Sequence, residues 1–372
     1  MKGISLAITT IWDGSRQYSC AVLHWCEHAQ RLQGALKSAG MARTQLMMLS
    51  TASHHENAAS SDRLIRQTVK EDCPMMRVVH PPPRLKRAVS DFARFGCQHD
   101  GACFKRLATS GSCAHLMYKW WSLSLIEFEL VLFADLDVQL MQPEISSHEL
   151  SFVWGHWWQK VIHGSSIRRT AVLSNPDFAF PFNAGLFLVA WPSKSRLYER
   201  GVQLMSTSRW NASHGFSTSM QDGMTPAALY DAFPVIRPRL NGSVPSVYKK
   251  LLVNGPSRMI VLNSWAVSGG DCDQGLFFFA LHVLPHLSRA APIGIDHVPG
   301  PRHVARHYIG SEKPWRRGKT NQARTAFYLA QTNWTARVGK SRCANKFARL
   351  ISELPRADSH EPYFASWSQR VV

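Results

Sequence analysis

The sequence is poor in acidic residues. It contains 25 Asp and Glu against 43 Lys and Arg, which gives a formal net charge of +18. A surplus of this sign favours polyanionic partners such as nucleic acid, acidic lipid or phosphorylated ligands. The cations are dispersed, however, and no zinc finger, basic zipper or RNA-binding aromatic signature accompanies them. We therefore expect a solvated basic surface and no specific nucleic-acid partner.

The sequence also lacks a long apolar run. Although 45% of its 372 residues are hydrophobic, no stretch reaches the roughly 18 residues of a membrane span. Residues 1–10 lack the cleavage pattern of a signal peptide and are interpreted as a first strand. The sequence as written therefore indicates a soluble, cytoplasmic chain, whereas a Golgi-lumen location would require an anchor further upstream. Sequons at Asn211, Asn241 and Asn333 would accept glycans in that second case.

None of the eight cysteines occurs in a Cys-x-x-Cys motif, which argues against a structural zinc or redox site. Cys97, Cys103 and Cys113 fall, with His99 and His115, in one Gly-containing segment that would hold a disulfide in an oxidising compartment. Free thiols are the preferred interpretation, because these spacings match no recognisable metal-ligand pattern. The cysteines leave the redox compartment open.

Short apolar runs alternate with helical patterns along the first part of the chain. Residues 4–9, 45–50 and 76–80 are typical of strands, and residues 17–38 and 61–70 are typical of helices. Such alternation predicts an α/β fold in which a mostly parallel central sheet is flanked by helices.

The remaining segments are less regular. The prolines at 81–83 predict an exposed linker into the Cys-rich segment, and a strand at 182–190 precedes a helix from about 193 that ends before 206. Residues 209–258 carry no sustained periodicity and indicate an insertion. From residue 318 to 372 the pattern is that of a basic, mostly helical extension.

Two carboxylates directly follow a buried strand. Asp135 and Asp137 come after the apolar run 130–133, and in an extended backbone residues two apart project to the same side. Ligands of open α/β sheets bind beyond the carboxyl ends of strands, so both carboxylates are placed to bind one cation. Oxygen ligands favour Mg²⁺ or Mn²⁺, and we therefore prefer a metal site to a merely solvated strand end.

Three motifs in order resemble those of the family-eight glycosyltransferases, the glycogenin-like group. They are the segment from Lys119 to Asp137, the run 181–187 (PFNAGLF) and the run 307–315 (HYIGSEKPW). The resemblance implies a GT-A fold over residues 1–317 and a retaining hexosyltransferase. It also implies a nucleotide-sugar donor, usually a UDP-hexose, a divalent cation, usually Mn²⁺, and a glycan or protein acceptor.

The resemblance assigns the metal and diphosphate contacts. Asp135 and Asp137 would hold the cation with His307 as a third ligand, and an imidazole among oxygen ligands suits Mn²⁺ better than Ca²⁺. Lys313 would place a positive charge on the diphosphate, and Gly310 would let the backbone approach it closely.

Further donor contacts follow from the same resemblance. Asn183 is a polar residue in an otherwise apolar strand and would bind sugar hydroxyls. Lys119 would bind the sugar or a phosphate, although a structural lysine is an alternative. Trp315 would either line the donor site or pack in the core, and neither interpretation is preferred.

The nucleoside contacts lie earlier in the chain. The backbone N–H of Leu136, where the family often has a small residue, would bind the ribose. Thr10 and Tyr18 would contact the uridine.

The family also has a Gly-Gly-Asp-Gln-Gly segment that presents an acid to the donor sugar. We assign Asp273 and Gln274 to it, although the run 269–275 contains Cys272 and lies much farther from Asn183 than in the family. Asp271 and Asp222 are left as alternatives.

Two rival functions use the same residues differently. A catalytically weak GT-A-like protein would bind glycans or polyanions through its charge and its 13 tryptophans. A phosphatase with an aspartate nucleophile also uses Asp-x-Asp after a strand. That chemistry usually places Gly-Thr after the pair, whereas Val138 and Gln139 follow here.

Overall fold

A computed structural model of the chain describes two sets of residues. The continuous stretches are 4–15, 18–38, 43–51, 58–96, 112–140, 172–174, 184–191, 193–207, 209–211, 215–217, 295–297 and 306–307. The isolated positions are 40, 148, 152, 154, 155, 157, 161, 273, 276, 277, 280 and 281.

The centre of the fold is a seven-stranded sheet. Its strands are β1 (Ser5–Trp12), β2 (Arg43–Ser50), β3 (Arg77–Val79), β4 (Leu130–Ala134), β6 (Val172–Ser174), β7 (Leu186–Ala190) and β10 (Ile295–His297). Their order across the sheet is β10-β6-β7-β4-β1-β2-β3. All neighbours pair in parallel except β7, which is antiparallel to both β4 and β6. The carboxyl ends of β1, β2, β3 and β4 therefore meet at one edge of the sheet.

Two small antiparallel sheets accompany the large one. In the first, β5 (Val138–Gln139) pairs with β11 (Arg306–His307). In the second, β8 (Arg209–Asn211) pairs with β9 (Gly215–Ser217). The pairing of β5 with β11 brings a late part of the chain beside the end of β4.

Helices cover both faces of the large sheet because the strands are apolar on both sides. On one side, which we call the α1 face, lie α1 (Ser19–Ser38) and α2 (Ala58–Asp72). The other side, the α5 face, is covered by α3 (Pro83–Asp91), α4 (Ser112–Met117), a 3-10 segment (Tyr118–Ser124) and α5 (Ser193–Thr207). In β1, the side chains of Leu6, Ile8 and Trp12 pack on the α1 face, whereas those of Ala7 and Ile11 pack on the α5 face.

The α/β class and the mostly parallel sheet flanked by helices are confirmed. The strands predicted at 4–9, 45–50 and 76–80 are β1, β2 and β3, and the helices predicted at 17–38 and 61–70 are α1 and α2. The predicted strand at 182–190 is observed as β7, which begins at Leu186. The helix expected from 193 extends to Thr207 as α5.

The prediction of an exposed linker at 81–83 is wrong. Pro83 is the first residue of α3, and Pro82 is its N-cap. Proline suits the first turn of a helix, because its fixed φ is already helical and the N–H it lacks would have no intrahelical partner there. Of the predicted insertion at 209–258, only the hairpin formed by β8 and β9 lies within the described residues, and the extension 318–372 lies outside them.

The structure contains a disulfide that the sequence did not predict. Cys26 of α1 and Cys73, the residue after α2, are bonded, with their Cα atoms 5.8 Å apart. Both side chains are buried on the α1 face, so the bond ties together the two helices that cover this face. Of the cysteines expected as free thiols, Cys97 and Cys103 lie outside the described residues, and so does the side chain of Cys113. In the part of the chain that the structure describes, no helix is long and apolar enough to span a membrane.

Candidate active site at the carboxyl end of strand β4

The acidic pair lies where β4 leaves the sheet. Val131 and Phe133 face the α5 side, and Asp135 continues this alternation, so its side chain points toward the 3-10 segment. The backbone N–H of Asp135 donates to the carbonyl of Gly185 (2.8 Å), and that of Val138 donates to the carbonyl of Asp135 (2.9 Å). The second bond closes a turn over 135–138, so the expectation that the two carboxylates share an extended backbone is wrong.

Lys119 lies between two carboxylates. Its Nζ is 2.7 Å from Oδ2 of Asp135 and 2.8 Å from Oδ2 of Asp273. It also donates to the carbonyl of Ala184 at 3.3 Å and lies 5.5 Å from the centroid of the Phe133 ring. Only 4% of the Lys119 and Asp273 side chains is exposed, against 20% for Asp135. Asp135 is therefore the most exposed member of this cluster.

The charges of this cluster keep Lys119 protonated. Burial alone would lower the pKa of the ammonium group, but the negative charges of Asp135 and Asp273 and their hydrogen bonds more than offset this effect. The pKa of Lys119 is consequently raised above its usual range. A positively charged lysine is therefore held at the carboxyl end of β4, the edge at which open α/β sheets bind their ligands.

Asp273 reaches Lys119 from far along the chain. Nearby, the Phe277 ring stacks on Trp120 with centroids 4.3 Å apart, and Arg200 Nη1 donates to the carbonyl of Ala280 at 2.9 Å. These contacts place the described residues between 273 and 281 on the α5 face. The structure brings Asp273 to Lys119, and the other two candidate acids, Asp271 and Asp222, lie outside the described residues.

The third predicted metal ligand is brought close by the backbone. His307 of β11 pairs with Val138 of β5, and Val138 directly follows Asp137, which is buried. The position of His307 in the chain is thus adjacent to the acidic turn, and its side chain lies outside the described part. Among the described residues no group of three His, Cys, Asp or Glu side chains is arranged to hold a metal ion.

The predicted nucleoside contacts lie on the α1 face. Thr10 is fully buried near the end of β1, and its hydroxyl has no hydrogen-bond partner among the described residues. Leu136 is buried in the hydrophobic cluster on the α1 face, and the partly buried side chain of Tyr18 packs against this cluster. The remaining predicted site residues, Asn183, Gln274, Gly310, Lys313 and Trp315, lie outside the described part of the chain.

A close contact behind Lys119 was not predicted. A Cβ atom built at Gly201 of α5 would lie 2.2 Å from Cε3 of Trp120, so this glycine lets α5 pack directly against the 3-10 segment. The sequence contained a signal for this contact. Glycine lowers the stability of a helix interior relative to alanine, so a glycine within a helix can mark a position where another element packs closely. Trp120 is fully buried, and the contact fixes the segment that carries Lys119.

No protein-family model matches the chain, and no curated protein matches it. Among solved structures, the crystal structure of mouse xyloside xylosyltransferase 1 in its apo form is similar to this chain, with a TM-score of 0.32 and 12% sequence identity. The match covers 54% of this chain and 73% of that one. That protein is a glycosyltransferase, and the likeness to it is weak.

Proposed function

We propose that this chain is a metal-dependent, retaining glycosyltransferase of the GT-A, glycogenin-like type. It would transfer a hexosyl unit from a nucleotide sugar, such as a UDP-hexose, to a glycan or protein acceptor. The observation that carries the proposal is the position of Lys119 between Asp135 and Asp273 at the carboxyl end of β4. Lys119 and Asp135 are assigned to the donor site from one sequence motif, and Asp273 from a second motif that lies far along the chain.

The fold supports the proposal. A mostly parallel sheet with helices on both faces is the arrangement that a GT-A fold implies, and the acidic pair lies beyond the carboxyl end of a central strand, where α/β proteins bind nucleotides. The pairing of β11 with β5 further supports the role of His307, because its register places His307 opposite Val138.

The three proposed metal ligands suit a divalent cation. Asp135, Asp137 and His307 would hold Mn²⁺, whose preferred ligands include carboxylate oxygens and imidazole. When bound, the cation would neutralise negative charge on the departing nucleoside diphosphate.

The chain's own residues would do the rest. Lys119, fixed by Asp273 and charged at all physiological pH values, would bind an anionic or hydroxyl oxygen of the donor near Asp135. Lys313 would add a second positive charge on the diphosphate, and Asn183 would bind sugar hydroxyls. Asp273 would orient Lys119 and present its carboxylate toward the sugar.

The test is a panel of nucleotide sugars assayed for Mn²⁺-dependent hydrolysis and transfer, with the anomeric configuration of the product determined by NMR. We expect Asp137→Ala and His307→Ala to reduce turnover at least about a hundredfold. Glu199→Ala is the matched control, because Glu199 is exposed and pairs with Arg84 outside the candidate site.

Metal binding gives an independent readout, because the EPR signal of free Mn²⁺ decreases when the ion binds. Both site variants should bind Mn²⁺ more weakly than the wild-type protein does. Wild-type turnover in either variant at limiting Mn²⁺ would show that the metal has been assigned to the wrong residues. A chain that binds glycans but consumes no nucleotide sugar would support the rival binding protein, and phosphate release through a phospho-Asp135 intermediate would support the phosphatase.

A further inference from the structure

We infer that Lys194 is a positioning residue for the candidate active site, because it caps the 3-10 segment that carries Lys119. The inference rests on the proposed function for its effect on turnover, and it rests on the structure alone for its effect on Lys119. Lys194 belongs to no sequence motif of the donor site and touches none of the proposed donor contacts.

The location of Lys194 is unfavourable unless it is compensated. It is the second residue of α5, where the partial positive charge of a helix N-terminus repels a cation. Its side chain is also fully buried, with 0% exposure, and burying an ammonium group costs free energy unless its N–H groups find acceptors. A lysine at this position therefore needs compensating contacts.

Those contacts are with the end of the 3-10 segment. The Nζ of Lys194 donates to the carbonyl oxygens of Leu125 and Phe128, and Leu125 is the C-cap residue of the segment. The Leu125 carbonyl also accepts the N–H of Phe128 at 3.2 Å, and Phe128 lies in the turn that follows the segment. A lysine side chain can donate to carbonyls at the end of a helix as well. The cap comes from a distant helix and joins α5 to this segment.

Hydrogen bonds connect this cap to Lys119. The N–H of Leu125 donates to the carbonyl of Ser122 at 3.4 Å, and the buried hydroxyl of Ser122 donates to the carbonyl of Lys119 at 2.7 Å. The chain of contacts therefore runs from Lys194 through Leu125 and Ser122 to the backbone of Lys119.

The second acceptor, the carbonyl of Phe128, links Lys194 to the strand that leads to Asp135, the partner of Lys119 in an ion pair. Phe128 lies two residues before β4, whose opposite end carries Asp135. Lys194 thus holds the turn that joins the segment of Lys119 to the strand of Asp135. Both partners of this ion pair are attached to one fixed turn.

The cap depends on N–H donors more than on charge. Burial lowers the pKa of Lys194 to about 8, against the opposing attraction of Glu127 and Glu129. A neutral amine still has two N–H groups, one for each carbonyl. The cap is therefore expected to persist when Lys194 loses its proton, and the informative substitution is one that removes the donors.

The experiment measures the accessibility of Lys119. The full chain is treated briefly with acetic anhydride, and acetylation of each lysine is quantified by peptide mass spectrometry, with exposed Lys70 and Lys86 as internal references. In the wild-type protein Lys119 should be strongly protected. In Lys194→Met it should acetylate at least about fivefold faster, as expected for a loss of local stability, while the reference lysines do not change.

Two further variants make the result decisive. Arg196→Met removes a cation from the same turn of α5, where Arg196 contacts the hydroxyl of Ser193, and should leave Lys119 protected. Ser122→Ala removes only one hydroxyl from the chain of contacts and should expose Lys119 even if Lys194→Met does not fold. Wild-type protection of Lys119 in Ser122→Ala and in folded Lys194→Met, with only a lower melting temperature, would overturn the inference.

The activity arm separates this inference from the proposed function. In Ser122→Ala, and in Lys194→Met where it folds, kcat should fall several-fold with little change in the KM for acceptor. A wild-type chain without any transferase activity would refute the proposed function and leave the acetylation result intact. Full activity with an exposed Lys119 would refute the role of Lys194 in the site.

Discussion

Lys119 and Asp273 form a buried ion pair, with 2.8 Å between Nζ and Oδ2. The lysine belongs to the 3-10 segment before β4, whereas the aspartate comes from a much later part of the chain. Because Asp135 also contacts the same ammonium group, one cation serves two acids, and the loss of that cation would leave two carboxylates facing each other.

Replacing Lys119 should therefore be costly. We expect Lys119→Met to destabilise the fold by about 3–5 kcal/mol, because buried charges lose their partner. The double variant Lys119→Met/Asp273→Leu should be less destabilised than the single one, since it removes one of the orphaned carboxylates. Urea denaturation measures both. If Lys119→Met lowers the free energy of unfolding by less than about 1 kcal/mol, the ion pair between Lys119 and Asp273 is screened by solvent.

Gly201 gives a packing test. Gly201→Ala should destabilise the protein by about 1–3 kcal/mol or more, because the new methyl group would overlap the Trp120 ring. Gly34→Ala is the control, since a Cβ there meets nothing within 4 Å. Gly34 lies in α1, where alanine is favoured over glycine by about 0.5–1 kcal/mol. Thermal denaturation should move the two variants in opposite directions.

Stability should decrease in acid because of His24. Burial, with a smaller contribution from the charge of Arg31, lowers the pKa of His24 from 6.5 to about 4. The unfolded chain therefore takes up a proton before the folded chain does, and stability falls as the pH decreases from about 6.5 to about 4. The loss at pH 5 should be about 2 kcal/mol.

Denaturant titrations at pH 7 and pH 5 measure this change. His24→Gln should have a shallower dependence over that interval, because its side chain does not titrate. If the two proteins lose the same free energy between these pH values, other groups are responsible.

The disulfide between Cys26 and Cys73 should contribute measurably to stability. It closes a loop of 47 residues, and the constraint that it places on the unfolded chain is worth about 4 kcal/mol in the chain-entropy account, with about 2–4 kcal/mol typical in practice. Cys26→Ala/Cys73→Ala should unfold at correspondingly lower urea. Peptide mapping without reductant should recover the two cysteines in one linked species, and two freely alkylated thiols in the native protein would contradict the assignment.

Local sequence patterns predicted the sheet and the position of the acidic pair. The apolar run 130–133 was expected to be buried. Asp135 was expected to lie at its end, because a strand that is covered by helices on both faces has no exposed side for a charged side chain. The same reasoning failed for the backbone of Asp135 and Asp137. A turn closed by a single hydrogen bond depends on neighbours such as Gly185, which the local sequence does not reveal.

Long-range contacts were harder to predict. The motif resemblance favoured Asp273, but Asp271 and Asp222 stayed as alternatives, because composition carries no information on how the chain returns to the sheet. Eight cysteines likewise permit many pairings, so the bond between Cys26 and Cys73 could not be deduced from spacing. Pro83 shows the remaining ambiguity, since proline suits both a linker and the first turn of a helix.

The Trp120 ring joins two parts of the chain that are distant in sequence. Gly201 of α5 lies against this ring, and the Phe277 ring stacks on it with centroids 4.3 Å apart. Trp120 and Phe277 also belong to the apolar cluster that includes the buried side chains of α5. A smaller side chain at position 120 would therefore loosen α5 and the residues around Asp273 together, so neither can be repacked independently of the other.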